Sequence, residues 1–300
     1  MAGFAGFRLF GVVKVVESAI AVVLGGIVGL VLGLTGAGGS VLAVPMLMWG
    51  LGWTLPQAAP VALIAVAMSA GIGTVAAWDV AVVRYRAAML MSGIGLLFAP
   101  LGLMAADRLP VQWLSGLFAA VLVIVALRMY GRARQNPDEA SVVRANVGGT
   151  PAGDAGAVCR IREDTGRISW TRNCIAAVSG TGAMTGFLSG MLGVGGGFVI
   201  VPALRAISDM SMHAAVATSL MTISLTSAGT VVIALLHGRE LPLVVALPFV
   251  IGAVVGMLAG RRFAARVAGA RLQQGFAMIM GIIAVLMLGQ VLWETFGAGA

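Results

Sequence analysis

Charged residues are scarce in this chain. Only 10% of its 300 residues are Asp, Glu, Lys or Arg, and 6% are aromatic. Soluble domains carry about a quarter charged residues, so this composition excludes an ordinary soluble fold. Apolar residues make up 60% and occur in continuous runs, without the alternation that membrane-spanning strands require. The composition therefore predicts an all-α integral membrane protein.

Cysteine is nearly absent. Cys159 and Cys174 flank a polar stretch without a metal-ligand pattern, so we expect both thiols to be reduced and to bind no metal. The sequence also lacks an HExxH motif, a plausible Ser-His-Asp set and a nucleotide loop, which argues against an enzyme and predicts no cofactor. The net charge of +8 comes from basic residues in loops between apolar runs, which predicts membrane orientation and no nucleic-acid partner.

The apolar runs fall into two sets of five. Residues 131–172 separate the sets and are charged, Gly/Pro-bearing and without hydrophobic period, so we interpret them as a linker outside the bilayer. The predicted organisation is a first membrane repeat over 1–130, the linker over 131–172 and a second repeat over 173–300. The runs cover 18–35, 39–51, 58–77, 87–106, 111–130, 173–192, 197–208, 214–236, 241–260 and 272–293.

The two sets are copies of each other. A shift of 157 places residues 25–47 over residues 182–204 and aligns six glycines, together with Val44, Pro45 and Leu47 on Val201, Pro202 and Leu204. The chain is therefore an internal repeat. The aligned glycines are Gly25, Gly29, Gly33, Gly36, Gly38 and Gly39 on Gly182, Gly186, Gly190, Gly193, Gly195 and Gly196.

The arginine distribution predicts the orientation. If the first two runs of each half form a hairpin, three further crossings invert the second half relative to the first. Placing the linker in the cytoplasm puts 15 of the 19 basic residues inside, with both termini outside, as the positive-inside rule favours. The four left outside are Arg8, Lys14, Arg108 and Arg239.

Glycine-rich turns precede the short second run of each half and predict an anion site. Each turn opens a short helix whose first N–H groups have no internal partner and carry the positive end of the helix dipole. Close helix packing is the alternative for these glycines, and we prefer it for the three that precede each turn. The predicted binding residues of the turns are Gly36, Gly38, Gly39, Ser40, Gly193, Gly195, Gly196 and Gly197.

Side chains near the turns supply further candidates. Thr218 and Ser219 lead a hydroxyl-rich run and are expected to face the anion, unless they bond to carbonyls of their own helix. Pro45 and Pro202 are predicted to shape the two short helices. His213, at the entrance to the hydroxyl-rich run, is a candidate gating or proton-shuttling residue.

Three segments carry a resemblance. GLTGAGGSVLAVPML (33–47), its echo GMLGVGGGFVIVPAL (190–204) and HAAVATSLMTISLTSAGT (213–230) resemble the sulfite exporter TauE/SafE family over both halves. The resemblance implies a bacterial inner-membrane carrier of sulfite, organosulfonates or related anions, with export as its default direction. The family's motif falls on the turn glycines, Pro45, Pro202, Thr218 and Ser219. The first half departs from it at Ser40 and at residues 60–63, which implies a contribution from backbone and Ser40 only.

The sequence thus predicts a secondary transporter of a small anion built from two inverted repeats. Proton coupling could be carried by the anion itself, because acidic and basic side chains are absent from the centre of every run. Two alternatives remain open at this point, a passive anion channel and a membrane assembly factor that docks a partner on the linker. A homo-oligomer is compatible with either.

Overall fold

The fold is known from a computed structural model. It describes residues 3–36, 39–76, 83–135, 159, 169–208, 212–239, 241–267 and 270–296. Gly38, one of the predicted site residues, lies outside the described residues, and so do the side chains of Pro202 and His213.

The described residues form ten α-helices, one for each predicted apolar run. Apart from a bridge between Cys159 and Ser208, no strand pairing occurs among them. The helices are α1 (Gly3–Thr35), α2 (Ser40–Leu51), α3 (Leu55–Val75), α4 (Tyr85–Arg108), α5 (Val111–Gln135), α6 (Arg172–Leu192), α7 (Gly197–Ile207), α8 (Met212–Leu236), α9 (Leu243–Val267) and α10 (Ala270–Phe296).

Seven helical stretches in the described part of the chain are long and apolar enough to cross a membrane. They are Val16–Thr35, Leu55–Val75, Tyr85–Arg108, Val111–Arg128, Arg172–Leu192, Ala214–Leu236 and Leu243–Phe263. Large apolar side chains point outward along them, among them Leu97 (74% exposed) and Leu236 (81% exposed). Exposed apolar surface of this extent fits a lipid environment and not water.

Helix pairs form between the two halves of the chain. α1 packs along α9, and α6 packs along α4. The glycines spaced four apart allow this: a Cβ on Gly29 would collide with the Ala253 carbonyl, and one on Gly186 with Gly95. The packing role predicted for the glycines that precede the turns is therefore confirmed. Backbones approach so closely only because these positions have no side chain.

The same contacts give the helix directions. Gly25, Gly29 and Gly33 meet Phe249, Ala253 and Met257 in rising order, so α1 and α9 run parallel. By the same reasoning α3 runs parallel to α9, α4 runs parallel to α6 and α8, and α3 runs antiparallel to α8. These four relations rest on the following contacts, in the same order: Arg261 and Met257 with Gly73, at the C-terminal ends of α9 and α3; Gly182 with Met91 and Gly190 with Ala99; Ser92 with Thr222 and Gly229 with Leu96; Ser224 with Ala67 and Gly73 with Leu220.

The helices α2 and α7 are short, with 12 and 11 residues. At 1.5 Å per residue each covers about 18 Å, less than the ~30 Å hydrocarbon core. α2 folds back along α1, because Gly39 lies against Leu32 and Gly50 against Leu24. Pro45 is buried inside α2, where it removes one helical hydrogen bond.

The cysteines differ from the sequence prediction. Cys159 and Cys174 form a disulfide, so the expectation of two reduced thiols was wrong. The backbone explains their proximity: the Cys159 N–H donates to the Ile207 carbonyl (2.7 Å) at the end of α7, and Cys174 lies in the first turn of α6, capped by Thr171. The bond ties a linker residue to both helices, a tertiary contact that sequence spacing could not reveal.

Candidate anion site

The glycine turns adopt backbone conformations that other residues rarely take. Gly36, after α1, has φ +78°, and the second turn has φ +71°, +72° and +66° at Gly193, Gly195 and Gly196. A side chain in this left-handed region costs about 1–2 kcal/mol per residue. Gly39 differs, with φ −66°, so the two turns share a sequence pattern without sharing every backbone angle.

The N-termini of α2 and α7 meet. Ser40 opens α2 and Gly197 opens α7, and a Cβ on Gly197 would lie 3.1 Å from the Ser40 hydroxyl. Both residues are buried. The first N–H groups of a helix have no partner within it and carry the positive end of its dipole. Two such ends in contact create a concentration of hydrogen-bond donors inside the protein.

This junction lies at mid-depth in the bundle. Gly195 lies against Val66 and Ile223, which are near the centres of α3 and α8. A Cβ on Gly195 would lie 3.4 Å from the Val66 side chain. The turns themselves diverge: Gly36 packs on Val216 near the start of α8, and Gly193 packs on Ala59 near the start of α3. Since α3 and α8 are antiparallel, the two turns approach the junction from opposite faces.

Thr218 and Ser219 are buried close to the first turn. The Thr218 hydroxyl oxygen accepts a hydrogen bond from the Arg84 backbone N–H (3.1 Å), and the Ser219 hydroxyl donates to the Val216 carbonyl (2.8 Å). Both side chains are fully buried, one turn from the contact between Val216 and Gly36. Their role as anion ligands stays a prediction, as does that of the glycines.

The comparison with protein families decides the membership of the chain. The family model described as "Sulfite exporter TauE/SafE" matches residues 21–287, which include both turns and all helices that surround the junction. The chain belongs to this family. The resemblance read from the sequence is confirmed, and the TauE/SafE chain is a membrane transporter.

Relatives of this TauE/SafE protein carry the same general description. A "Probable membrane transporter protein" of Xylella fastidiosa (strain Temecula1) is 30% identical over 91% of this chain and 94% of its own length. The "Probable membrane transporter protein YunE" of Bacillus subtilis (strain 168) is 25% identical over 92% of this chain and 97% of its own. "Probable membrane transporter protein MamO" of Magnetospirillum gryphiswaldense is 30% identical over 59% of this chain and 29% of its own. No solved structure matches the chain.

Most threonines of α8 in the TauE/SafE protein are satisfied by their own helix. Thr222, Thr226 and Thr230 each donate to the carbonyl four residues earlier, at 2.9, 2.8 and 2.7 Å. This is the local bonding that competes with a binding role for hydroxyls in a helix. These three side chains therefore have no free proton to offer a ligand.

Two other hydroxyls have no partner, and the sequence did not single them out. Ser69 and Ser227 are fully buried, and within the described part of the chain neither hydroxyl oxygen makes a hydrogen bond. Ser227 Oγ is the nearest atom to the position that a Cβ on Gly195 would occupy, so it faces the second turn. Nothing in the sequence separates Ser227 from the other hydroxyls of α8, because partners depend on packing.

A small cavity of about 20 Å³ opens at one face of this TauE/SafE protein, next to the second turn. Ala59, which packs on Gly193, lies in its wall, together with Gly190, Met191 and Thr230. Among the described residues that line it, Arg239 is the one with a charged side chain; its guanidinium forms an ion pair with Asp107 and a hydrogen bond to the Pro56 carbonyl (3.3 Å). The described lining of the cavity thus combines apolar walls with one cation.

Arg84 lies beside the N-terminal part of α8, at the end of that helix away from Arg239. It precedes α4, and its Nε atom is buried without a hydrogen-bond partner. Removal from water lowers the pKa of the Arg84 guanidinium below its ordinary value. The sequence assigned Arg84 only to membrane orientation, whereas its backbone holds Thr218 in place.

Proposed function

We propose that this protein is a secondary transporter that exports a small anion such as sulfite or an organosulfonate. The observation that carries the proposal is the contact between the N-termini of α2 and α7 at mid-depth, through Ser40 and Gly197. Helix N-termini attract anions without charged side chains, and glycines let a ligand approach the backbone. In this proposal the anion lies between the two turns, with Thr218 and Ser219 nearby.

We also propose that the two halves are inverted repeats. The helix directions support this. In the first half, α1 and α3 run in one direction and α4 runs in the other. Their counterparts in the second half, α6, α8 and α9, each run in the reverse direction. The packing pairs support it as well, because exchanging the halves converts α1 with α9 into α6 with α4. Inverted repeats place the binding site at their interface and allow access to alternate by rocking.

The cavity beside Arg239 supports alternating access. It reaches the wall next to Gly193 from one face, and apolar side chains, Val66 and Ile223, lie at the junction beyond it. In this proposal the anion passes through the cavity between its site and the face that carries Arg239. Rocking of the halves closes the cavity and opens a second route, past Gly36, to the other face. A channel needs a continuous pore. The packing of Val66 and Ile223 at the junction of α2 and α7 interrupts such a path and favours a carrier.

The arginine positions support a cytoplasmic linker in a bacterial inner membrane. The helix directions gather Arg84, Arg86, Arg128, Arg172, Arg261 and Arg262 at one face and leave Arg8, Lys14, Arg108 and Arg239 at the other. The positive-inside rule then assigns the first face to the cytoplasm and the cavity of Arg239 to the outside.

Labelled sulfite flux in proteoliposomes tests the proposal, with and without an imposed pH gradient. Saturable flux accelerated by the gradient is the expected result, with the proton carried by the anion itself. Unitary currents in voltage-clamped bilayers would identify a channel instead. Absence of flux for sulfite, organosulfonates and carboxylates alike would refute transport of these anions.

A further inference from the structure

Ser227 is buried at the second turn with an unused hydroxyl. Its side chain has 0% exposure, and its oxygen makes no hydrogen bond to any residue that the structure describes. An unpaired buried hydroxyl costs roughly 1–3 kcal/mol, so native proteins retain few of them. The adjacent Thr226 is equally buried, but its hydroxyl donates a hydrogen bond to the Thr222 carbonyl and is therefore satisfied.

The direction of the Ser227 side chain identifies what it faces. Its oxygen is the atom closest to the Cβ that Gly195 would carry, and Ile223, one turn earlier on α8, contacts both Gly195 and Gly197. The hydroxyl therefore points at the turn that opens α7. Because α7 is an 11-residue helix, its N-terminal N–H groups and this hydroxyl point at the same small region.

We propose that Ser227 donates a hydrogen bond from its hydroxyl to an anion held at the N-terminus of α7, and that this site takes a singly charged oxyanion. The inference rests on the proposed transport function and adds a ligand and a charge state to it. Residues 40–76, 175–204 and 214–236 contain no Asp, Glu, Lys or Arg. The described side chains nearest to the α7 N-terminus are also uncharged, so the donors there are neutral N–H and O–H groups; these side chains are Ser40, Val66, Thr185, Ile223 and Ser227.

The charge state follows from this neutral surrounding. The free energy of moving an ion out of water rises with the square of its charge, and none of the described side chains that contact the α7 N-terminus is a cation that would offset a second negative charge. Methanesulfonate, with one charge and three acceptor oxygens, fits the site. Sulfate, of similar shape but with two charges, is the matched probe that does not.

Thermal unfolding of the purified full-length chain, with each anion added, measures the binding. Methanesulfonate is expected to raise the Tm of the wild-type protein, and sulfate is expected to bind at least tenfold more weakly. Ser227→Ala is expected to weaken methanesulfonate binding about tenfold or more, the size of a hydrogen bond to a charged group. Without ligand, the Tm of Ser227→Ala should equal or exceed that of the wild type, because the lost hydroxyl had no protein partner.

Thr226→Val is the control, since it removes a neighbouring hydroxyl whose partner is in its own helix. It should leave methanesulfonate binding unchanged. Equal affinity in Ser227→Ala and wild type would overturn the role of Ser227, and equal affinity for sulfate and methanesulfonate would overturn the charge preference. Binding without flux in proteoliposomes would refute the transport proposal alone, whereas absence of binding for every anion would overturn both.

Discussion

The Ser224 hydroxyl donates a hydrogen bond to the Ala67 carbonyl at 3.0 Å, and the two residues are 157 positions apart. The same shift aligns the two halves of the sequence, so equivalent positions of α3 and α8 are in contact. Ser40 and Gly197, also 157 apart, meet at the helix N-termini. In the proposed inverted repeat, contacts between equivalent positions lie on the axis that relates the halves, and rocking of the halves is expected to occur about these contacts.

Alanine at Gly195 should abolish anion binding. The residue has φ +72°, and its Cβ would collide with Ser227 Oγ. Gly52 is the matched control, with φ +67° and nothing within 4 Å of its Cβ position. Both variants carry the backbone strain of about 1–2 kcal/mol and should show lowered Tm values. Only Gly195→Ala should lose methanesulfonate binding and sulfite flux; intact binding in this variant would contradict the site.

Alanine at Gly29 should destabilise the protein without acting on the site directly. Its Cβ would fall on the Ala253 backbone of α9, whereas the Cβ of the control Gly26→Ala has only the Gly252 carbonyl near it, at 3.9 Å. Overpacking of this kind costs typically 1–3 kcal/mol. Thermal unfolding in detergent should give a lower Tm for Gly29→Ala than for Gly26→Ala. Identical values would show that the parallel packing of α1 on α9 contributes little.

The ion pair of Arg239 and Asp107 should affect the access of the anion to the cavity more than the stability of the protein. Asp107 is 50% exposed, and exposed pairs contribute about 0–1 kcal/mol. Asp107→Asn removes the negative charge beside Arg239 and is expected to lower the KM for sulfite, whereas Arg239→Gln is expected to raise it. Both effects should shrink at 1 M salt, where the Debye length is about 3 Å. KM changes of the same sign in both variants would contradict steering by Arg239.

The disulfide offers a test of orientation. Cytosolic disulfides are uncommon, so the Cys159–Cys174 bond of the structure and the proposed cytoplasmic linker make opposite predictions for growing cells: the bond predicts oxidised cysteines, and a cytoplasmic linker predicts reduced ones. Acid quenching followed by alkylation and mass spectrometry of the two thiols measures this. Full oxidation in quenched cells would place the linker on the periplasmic side and reverse the proposed orientation. The Cys174→Ser variant, with one remaining thiol, calibrates the alkylation.

Sequence reasoning was strongest where one physical requirement dominates. A chain in lipid must satisfy its backbone hydrogen bonds within helices, so apolar runs alone located the ten helices of the described residues. The repeated glycines and the TauE/SafE motif were evident from the sequence itself. The spacing of Gly25, Gly29 and Gly33 predicted a packing face, although its partner α9 lies more than 200 residues away and was not evident. The site residues stay predictions from pattern.

What the sequence by itself determined is the solvent, the helices, the repeat and the family, because each depends on local composition or on matching letters. The tertiary structure decided which helices pair between the halves, the bond of Cys159 to Cys174, and which of the α8 hydroxyls has no partner. Thr226 and Ser227 are neighbours with similar chemistry, yet one is satisfied and the other faces Gly195. Only the three-dimensional placement of donors and acceptors separates them, because a hydrogen bond depends on distance and direction and not on the order of residues.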